Sequence, residues 1–177
     1  MEPAARSRTA DASAPAVGRV VSRGALFGRL SGAARVTEVA APAGSGKTFL
    51  LRSWIGEAGL AGRAAWVPVQ DEERDPQRFW ITVADALRDT AAGSKLVRPL
   101  TAAPDLDGWE IVERLLKDLA GLDERVWLII DDVQQLAPGE ALRQLELLVL
   151  RAPPELRFVL ATRHDLQLEQ AGAFVVS

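Results

Sequence analysis

Apolar positions along the chain follow two rhythms, compact runs and longer stretches spaced at three and four residues, and their alternation predicts strands followed by helices. A short helix is expected over Leu26 to Leu30. Arg35-Val36-Thr37-Glu38-Val39-Ala40-Ala41 is rich in β-branched residues and predicts a first strand. It runs into Pro42-Ala43-Gly44-Ser45-Gly46, and from Lys47 the spacing of Leu50, Leu51, Trp54 and Ile55 predicts a helix stopped by Gly59 and Gly62. Ala64 to Val69 predicts a second strand. Asp75-Pro76 supplies a capping carboxylate and a first-turn proline, with Phe79, Trp80, Val83 and Leu87 as one apolar stripe behind them. The segment Ala91 to Asp107, with Gly93, Pro99 and Pro104, predicts a long surface loop. A helix from about Gly108 places Trp109, Val112, Leu116 and Leu119 on one side. Arg125 to Ile130 is a continuous apolar run of the kind buried on both faces of a parallel sheet. A helix opening at Pro138 turns Leu142, Leu145, Leu148 and Val149 inward and ends at Pro153-Pro154, before a fourth strand over Leu156 to Ala161. Ala173 to Val176 offers a fifth strand.

Strands alternating with helices predict an α/β fold: a mostly parallel open sheet covered on both faces, with ligands at the carboxyl ends of the strands. A chain of 177 residues fits one such domain. Residues 1–18, rich in Ala, Ser, Pro and Arg without periodicity, read as a flexible tail, leaving one core over 19–177.

Three chemically distinctive segments fall just after predicted strands and should share one rim. Ala41-Pro42-Ala43-Gly44-Ser45-Gly46-Lys47-Thr48 matches the Walker A pattern with Ala at its first glycine. Such a loop wraps phosphates in backbone N–H groups at a helix N-terminus; Lys47 would reach the β- and γ-phosphates, and the Thr48 hydroxyl would ligate Mg²⁺. The bare pattern arises by chance in on the order of one chain in a hundred. The chain has only three lysines, Lys47, Lys95 and Lys117, against 18 arginines, so a lysine at the position that needs one is less easily an accident. Val126-Trp127-Leu128-Ile129-Ile130-Asp131-Asp132 fits the Walker B element. Asp131 would hold Mg²⁺ through its water shell, and Asp132 would orient or deprotonate the attacking water. Without the loop upstream, the same two carboxylates would read as a solvated turn. Arg163 can sense a γ-phosphate or form a surface ion pair with Asp165, and position alone does not choose between them.

Composition removes several alternatives. With no cysteine, disulfides, thiolate metal sites and cysteine nucleophiles are excluded; with His164 alone among histidines, a zinc site of the usual nitrogen and sulfur type lacks ligands, and a Ser-His-Asp hydrolase would depend on one imidazole that reads as a loop residue. A net charge of −3 argues against a basic nucleic-acid-binding face, so no direct nucleic-acid contact is expected. No apolar run approaches the roughly 20 residues of a membrane span, and the N-terminus lacks a secretory signal, which together predict a cytoplasmic protein. The run Gln70 to Asp75 reads as a solvated acidic loop. Trp54, Trp66, Trp80, Trp109 and Trp127 sit at core spacings and read as packing rather than as a base-stacking platform.

From Val20 to Asp165 the sequence resembles the N-terminal ATPase domain of the large LuxR-type transcriptional regulators, which include the maltose-regulon activator and belong to the signal-transduction ATPases. The resemblance is carried by Arg35 to Trp54, Asp75-Pro76-Gln77-Arg78-Phe79-Trp80, Leu128 to Asp132, and Ala152-Pro153-Pro154 through Arg163. It implies a P-loop NTPase three-layer sandwich with an extra strand between those of Walker A and Walker B, and a site that binds ATP or ADP with Mg²⁺ as a switch. It implies phosphate binding by Gly44, Gly46, Lys47 and Thr48, magnesium and water handling by Asp131 and Asp132, and γ-phosphate sensing by Arg163. Adenine specificity is implied by the resemblance alone. Family members continue into a helical lid, a winged helix, helical repeats and a DNA-binding helix-turn-helix. These find no room after Ser177, so the expectation is a truncated core with weak binding and little turnover. A freestanding small-molecule kinase and a non-catalytic interaction remnant stand as alternatives.

Overall fold

In a computed structural model the described residues are 23–32, 34–70, 75–102, 106–136, 139–163 and 174–176. The expected tail over 1–18, residues 71–74 of the expected acidic loop, Pro138, His164 and Asp165 lie outside them. The elements run α1 (Arg23–Leu30), β1 (Val36–Ala40), α2 (Lys47–Glu57), β2 (Ala64–Pro68), α3 (Pro76–Arg88), α4 (Gly93–Leu96), α5 (Gly108–Leu119), β3 (Val126–Asp131), a 3-10 turn (Val133–Leu136), α6 (Glu140–Arg151), β4 (Leu156–Thr162) and β5 (Phe174–Val176).

All strand pairs are parallel, in the order β2-β3-β4-β1-β5. The Walker A and Walker B strands, β1 and β3, are therefore separated by β4, as the resemblance implied. Side chains on a strand alternate between faces, and β3 shows the consequence: Val126, Leu128 and Ile130 join the core under α3, α5 and α6, whereas Trp127 and Ile129 join the one under α1 and α2. Helices thus cover both faces, giving three layers. On the α2 face, Leu51 and Trp54 are fully buried, and the Trp54 ring meets Trp127 edge-on with centroids 6.3 Å apart.

The helix starts follow local chemistry. Asp75 accepts from the Gln77 N–H at 3.0 Å with Pro76 in the first turn of α3, and Asp107 caps α5 through the Glu110 N–H at 2.8 Å. Two expectations need correction. The stretch Ala91 to Asp107 is not a continuous surface loop: it contains α4 and buries Gly93 and Val97. The Thr90 hydroxyl donates to the Leu87 carbonyl and accepts from the Gly93 N–H at 3.0 Å, drawing the chain so close that a Cβ on Gly93 would lie 1.8 Å from the Leu87 oxygen. Here glycine serves close packing rather than a loop. On α5 the buried stripe is Ile111, Val112, Leu115, Leu116 and Leu119; Trp109 is only half-buried and donates its indole N–H to Glu140 at 2.6 Å.

A polar side chain is also buried among the helices over the larger core. Gln144 is fully buried, its carbonyl oxygen accepts from the Trp80 indole at 2.6 Å, and its amide nitrogen has no partner. Trp80→Phe strands that oxygen and is expected to cost about 1–3 kcal/mol in urea denaturation. Adding Gln144→Leu removes the stranded amide, so the double variant should recover part of the loss. Simple additivity of the two single losses would rule out the amide as their origin.

Candidate functional site

Because β4 lies between β1 and β3 and all three run the same way, their carboxyl ends stand side by side. The loop after β1, the acids ending β3 and Arg163 after β4 are thereby brought to one rim, as the sequence predicted. A cleft of about 350 Å³ is lined by residues 43–49 together with Asp131, Asp132 and Arg163. Ala41 and Pro42 do not line it. Their carbonyl oxygens instead accept from the Lys47 ammonium, at 2.5 and 3.2 Å.

The loop owes its shape to Gly44 and Gly46, with φ of 75° and 82°. L-residues with side chains rarely adopt this region, so the restriction at these positions is conformational even though a Cβ would meet no atom within 4 Å. Gly46 is the N-cap of α2 and uses no side-chain cap, which leaves the first N–H groups of the helix turned toward the cleft as an anion-binding end. Lys47 folds back over the loop and is only 9% exposed.

Two residues 83 positions apart meet directly: the Thr48 hydroxyl donates to Asp131 Oδ2 at 2.7 Å. Hydroxyl and carboxylate oxygens are the donors a hard cation requires, so this pair fits Mg²⁺. Among the described residues there is no group of three or more His, Cys, Asp or Glu that could hold a metal. Further coordination positions would therefore be filled by phosphate oxygens and water.

Asp132 has a φ of 61°, the positive value found for a non-glycine residue among those described. Asp tolerates this region better than most residues, at a modest energetic cost. The left-handed turn breaks β3 into the 3-10 turn and carries the carboxylate into a small network. Asp132 Oδ1 accepts from Gln134 Nε2 at 2.9 Å and from Arg163 Nε at 3.3 Å, while Gln134 Oε1 accepts from the Arg163 backbone N–H at 3.1 Å. Partial burial pushes the Asp132 carboxyl upward, but the hydrogen bonds from Gln134 and Arg163, with the charges of Arg163 and Lys47, outweigh it and hold the carboxyl below its ordinary value. Among the described residues Arg163 pairs with Asp132, and the Asp165 considered from sequence lies outside them. Gln134 was not foreseen, since a short 3-10 turn follows neither apolar period and its sole signal was proximity to the acidic pair.

Arg163→Met removes one donor and one charge from Asp132, so its carboxyl should titrate at higher pH than in the wild type, measured by the carboxyl ¹³C shift. The sign for stability follows from a folded pKa below the unfolded value of about 3.9. The contribution is complete above that value and is lost as pH falls through the folded pKa. The stability gap between wild type and variant should accordingly be widest above about pH 5 and narrow in acid; an unchanged titration would refute the electrostatic account.

Comparison with known proteins agrees with this arrangement. A family model described as an AAA domain matches residues 30–168. No curated protein matches the chain. Among solved structures, the Aeropyrum pernix ORC1 protein in complex with DNA is similar with a TM-score of 0.60 and 20% identity, covering 88% of this chain and 43% of that one. Drosophila ORC bound to DNA is similar with a TM-score of 0.56 and 14% identity, covering 88% of each chain. At these identities the likeness is one of fold, and the chain spans less than half the length of the Aeropyrum protein. The match over residues 30–168, on a parallel sheet with a Walker-type rim, establishes that this chain belongs to the AAA-domain family of P-loop ATPase folds.

Proposed function

We propose that the chain is an ATP-binding, slowly hydrolysing switch module of the kind carried by LuxR-type transcriptional regulators. The observation that carries the nucleotide reading is the convergence of Lys47, the Thr48–Asp131 pair and the Asp132–Arg163 pair on one cleft at the N-terminus of α2. The regulator context is supported by the sequence likeness over 75–80 and 152–163, segments that form the capped start of α3 and the approach along β4 to Arg163. DNA contact in this reading belongs to other domains of such a regulator.

The phosphates enter against the backbone N–H groups of residues 44–48, and Lys47 exchanges the carbonyls of Ala41 and Pro42 for the β- and γ-phosphates. Thr48 and Asp131 are the residues that would hold Mg²⁺, which when bound would neutralise charge on the terminal phosphates. Asp132 is ionised at neutral pH and so accepts hydrogen bonds from a water beside the γ-phosphate. Its lowered pKa makes it a better orienter than proton acceptor, consistent with slow turnover. Arg163 has two competing anions, Asp132 and a γ-phosphate. With a diphosphate it stays with Asp132; with a triphosphate it moves, and its tie through Gln134 passes that choice to the ends of β3 and β4.

Calorimetry with Mg²⁺-ATP and Mg²⁺-ADP is expected to give saturable binding that Lys47→Ala abolishes, with circular dichroism showing both proteins folded. Absence of binding to the folded wild type would refute the reading. For the metal pair, Thr48→Val and Asp131→Asn should each remove most of the gain in ATP affinity that Mg²⁺ gives over EDTA. An undiminished gain in both variants would exclude this pair as the metal site.

A further inference from the structure

A nucleotide has two ends of different chemistry, and the cleft accounts openly for only one. Lys47, Thr48, Asp131, Asp132 and Arg163, with the loop backbone, are charged or polar groups suited to phosphates and a cation. A nucleobase requires an apolar or aromatic surface to cover its face. One lining residue supplies it. Phe49 directly follows Thr48 in the first turn of α2, lines the cleft and is 70% exposed.

Single exposed apolar residues are ordinary on protein surfaces. The placement of this one separates it from that background. Phe79, Phe158, Trp54, Trp80 and Trp127 are all buried, and the other large exposed apolar residue described, Leu150 at 52%, does not line the cleft. A ring at the mouth of an otherwise polar cleft, one residue beyond the metal-binding hydroxyl, is positioned to meet the part of the ligand beyond the phosphates.

We infer that Phe49 is the base-contacting residue of the cleft, its ring stacking on a purine; the inference rests on the nucleotide-binding reading above. Stacking uses the π-face that every base has, and no Asn or Gln side chain lines the cleft among the described residues. Phe49 therefore selects by ring size, favouring purine over pyrimidine nucleotides and separating ATP from GTP only weakly.

The test compares Mg²⁺-ATP with Mg²⁺-tripolyphosphate, which has the charged end without the base, in calorimetry on wild type, Phe49→Ala and Phe49→Tyr. Phe49→Ala is expected to weaken ATP binding about tenfold or more and to leave tripolyphosphate binding unchanged, while Phe49→Tyr retains the wild-type affinity for both. Unchanged ATP affinity in Phe49→Ala, or equal weakening of both ligands, overturns the inference. A wild type that binds tripolyphosphate as tightly as ATP overturns it too, while leaving the phosphate site standing. A wild type that binds neither overturns the nucleotide reading as well.

Discussion

Everything at the rim depends on the parallel pairing of β4 with both β1 and β3. In register, Val36 lies beside Phe158 and Ala40 beside Thr162, while Ile130 lies beside Leu160 from the other side. The pairing sets the heights of three strand ends, and with them the Thr48–Asp131 and Asp132–Arg163 contacts. A slip of one residue in β4 would reverse the facing of every side chain on it and bury Arg163's neighbours on the wrong side. Alternation fixes the register strongly, because Phe158 and Leu160 serve the larger core while Val159 and Ala161 serve the one under α2. The apolar faces thus position the charged groups without touching them.

Polar burial in the fold follows the same division. In the core, Gln144 and Trp80 satisfy each other only in part, and the unpaired amide nitrogen of Gln144 is a cost with no chemical return visible in the cleft. At the rim, Asp132 combines a positive φ with three-way coupling to Gln134 and Arg163. Backbone strain of this kind persists where the surroundings overdetermine it, and it is commonly found where a side chain must be aimed. The contrast separates a polar group retained within packing from one held toward a ligand.

The sheet and most of the cleft were legible in the sequence because their signals are local. β-branched and apolar runs gave the strands, Asp75-Pro76 gave a helix start, and the loop and acid motifs carry their chemistry in adjacent residues. Three features were not legible, for physical reasons. The Thr90–Gly93 turn depends on hydrogen bonds within a segment whose glycine and prolines also suit a loop, so α4 was missed. The stripe on α5 was mis-assigned because Trp109, apolar by composition, can satisfy its indole N–H at the surface through Glu140. Gln134 owes its place to Arg163, 29 residues along the chain, and belongs to no motif. Of the five Trp residues read as packing, Trp54, Trp80 and Trp127 are buried, and Trp66, half-buried, lies under the guanidinium of Arg52 at 5.2 Å.

The charges of the cleft are already balanced before a ligand arrives. Lys47 is matched by backbone carbonyls, Arg163 by Asp132, and Asp131 by the Thr48 hydroxyl. A polyphosphate therefore gains each cation only by displacing an internal partner, and the net stabilisation is the difference between two sets of contacts rather than the sum of the new ones. Such exchange favours modest, reversible affinity over permanent occupancy. It also gives the third phosphate a distinct consequence. In the proposed reading, a diphosphate would meet the contacts of Lys47 and the helix N-terminus, whereas the Asp132–Arg163 pair, after the neighbouring strands, would yield only to an anion that reaches it. In the proposed switch, such a site would tell two nucleotide states apart by which pair is broken, and Gln134, bonded to both members of the last pair, would tie that event to the backbone after β4.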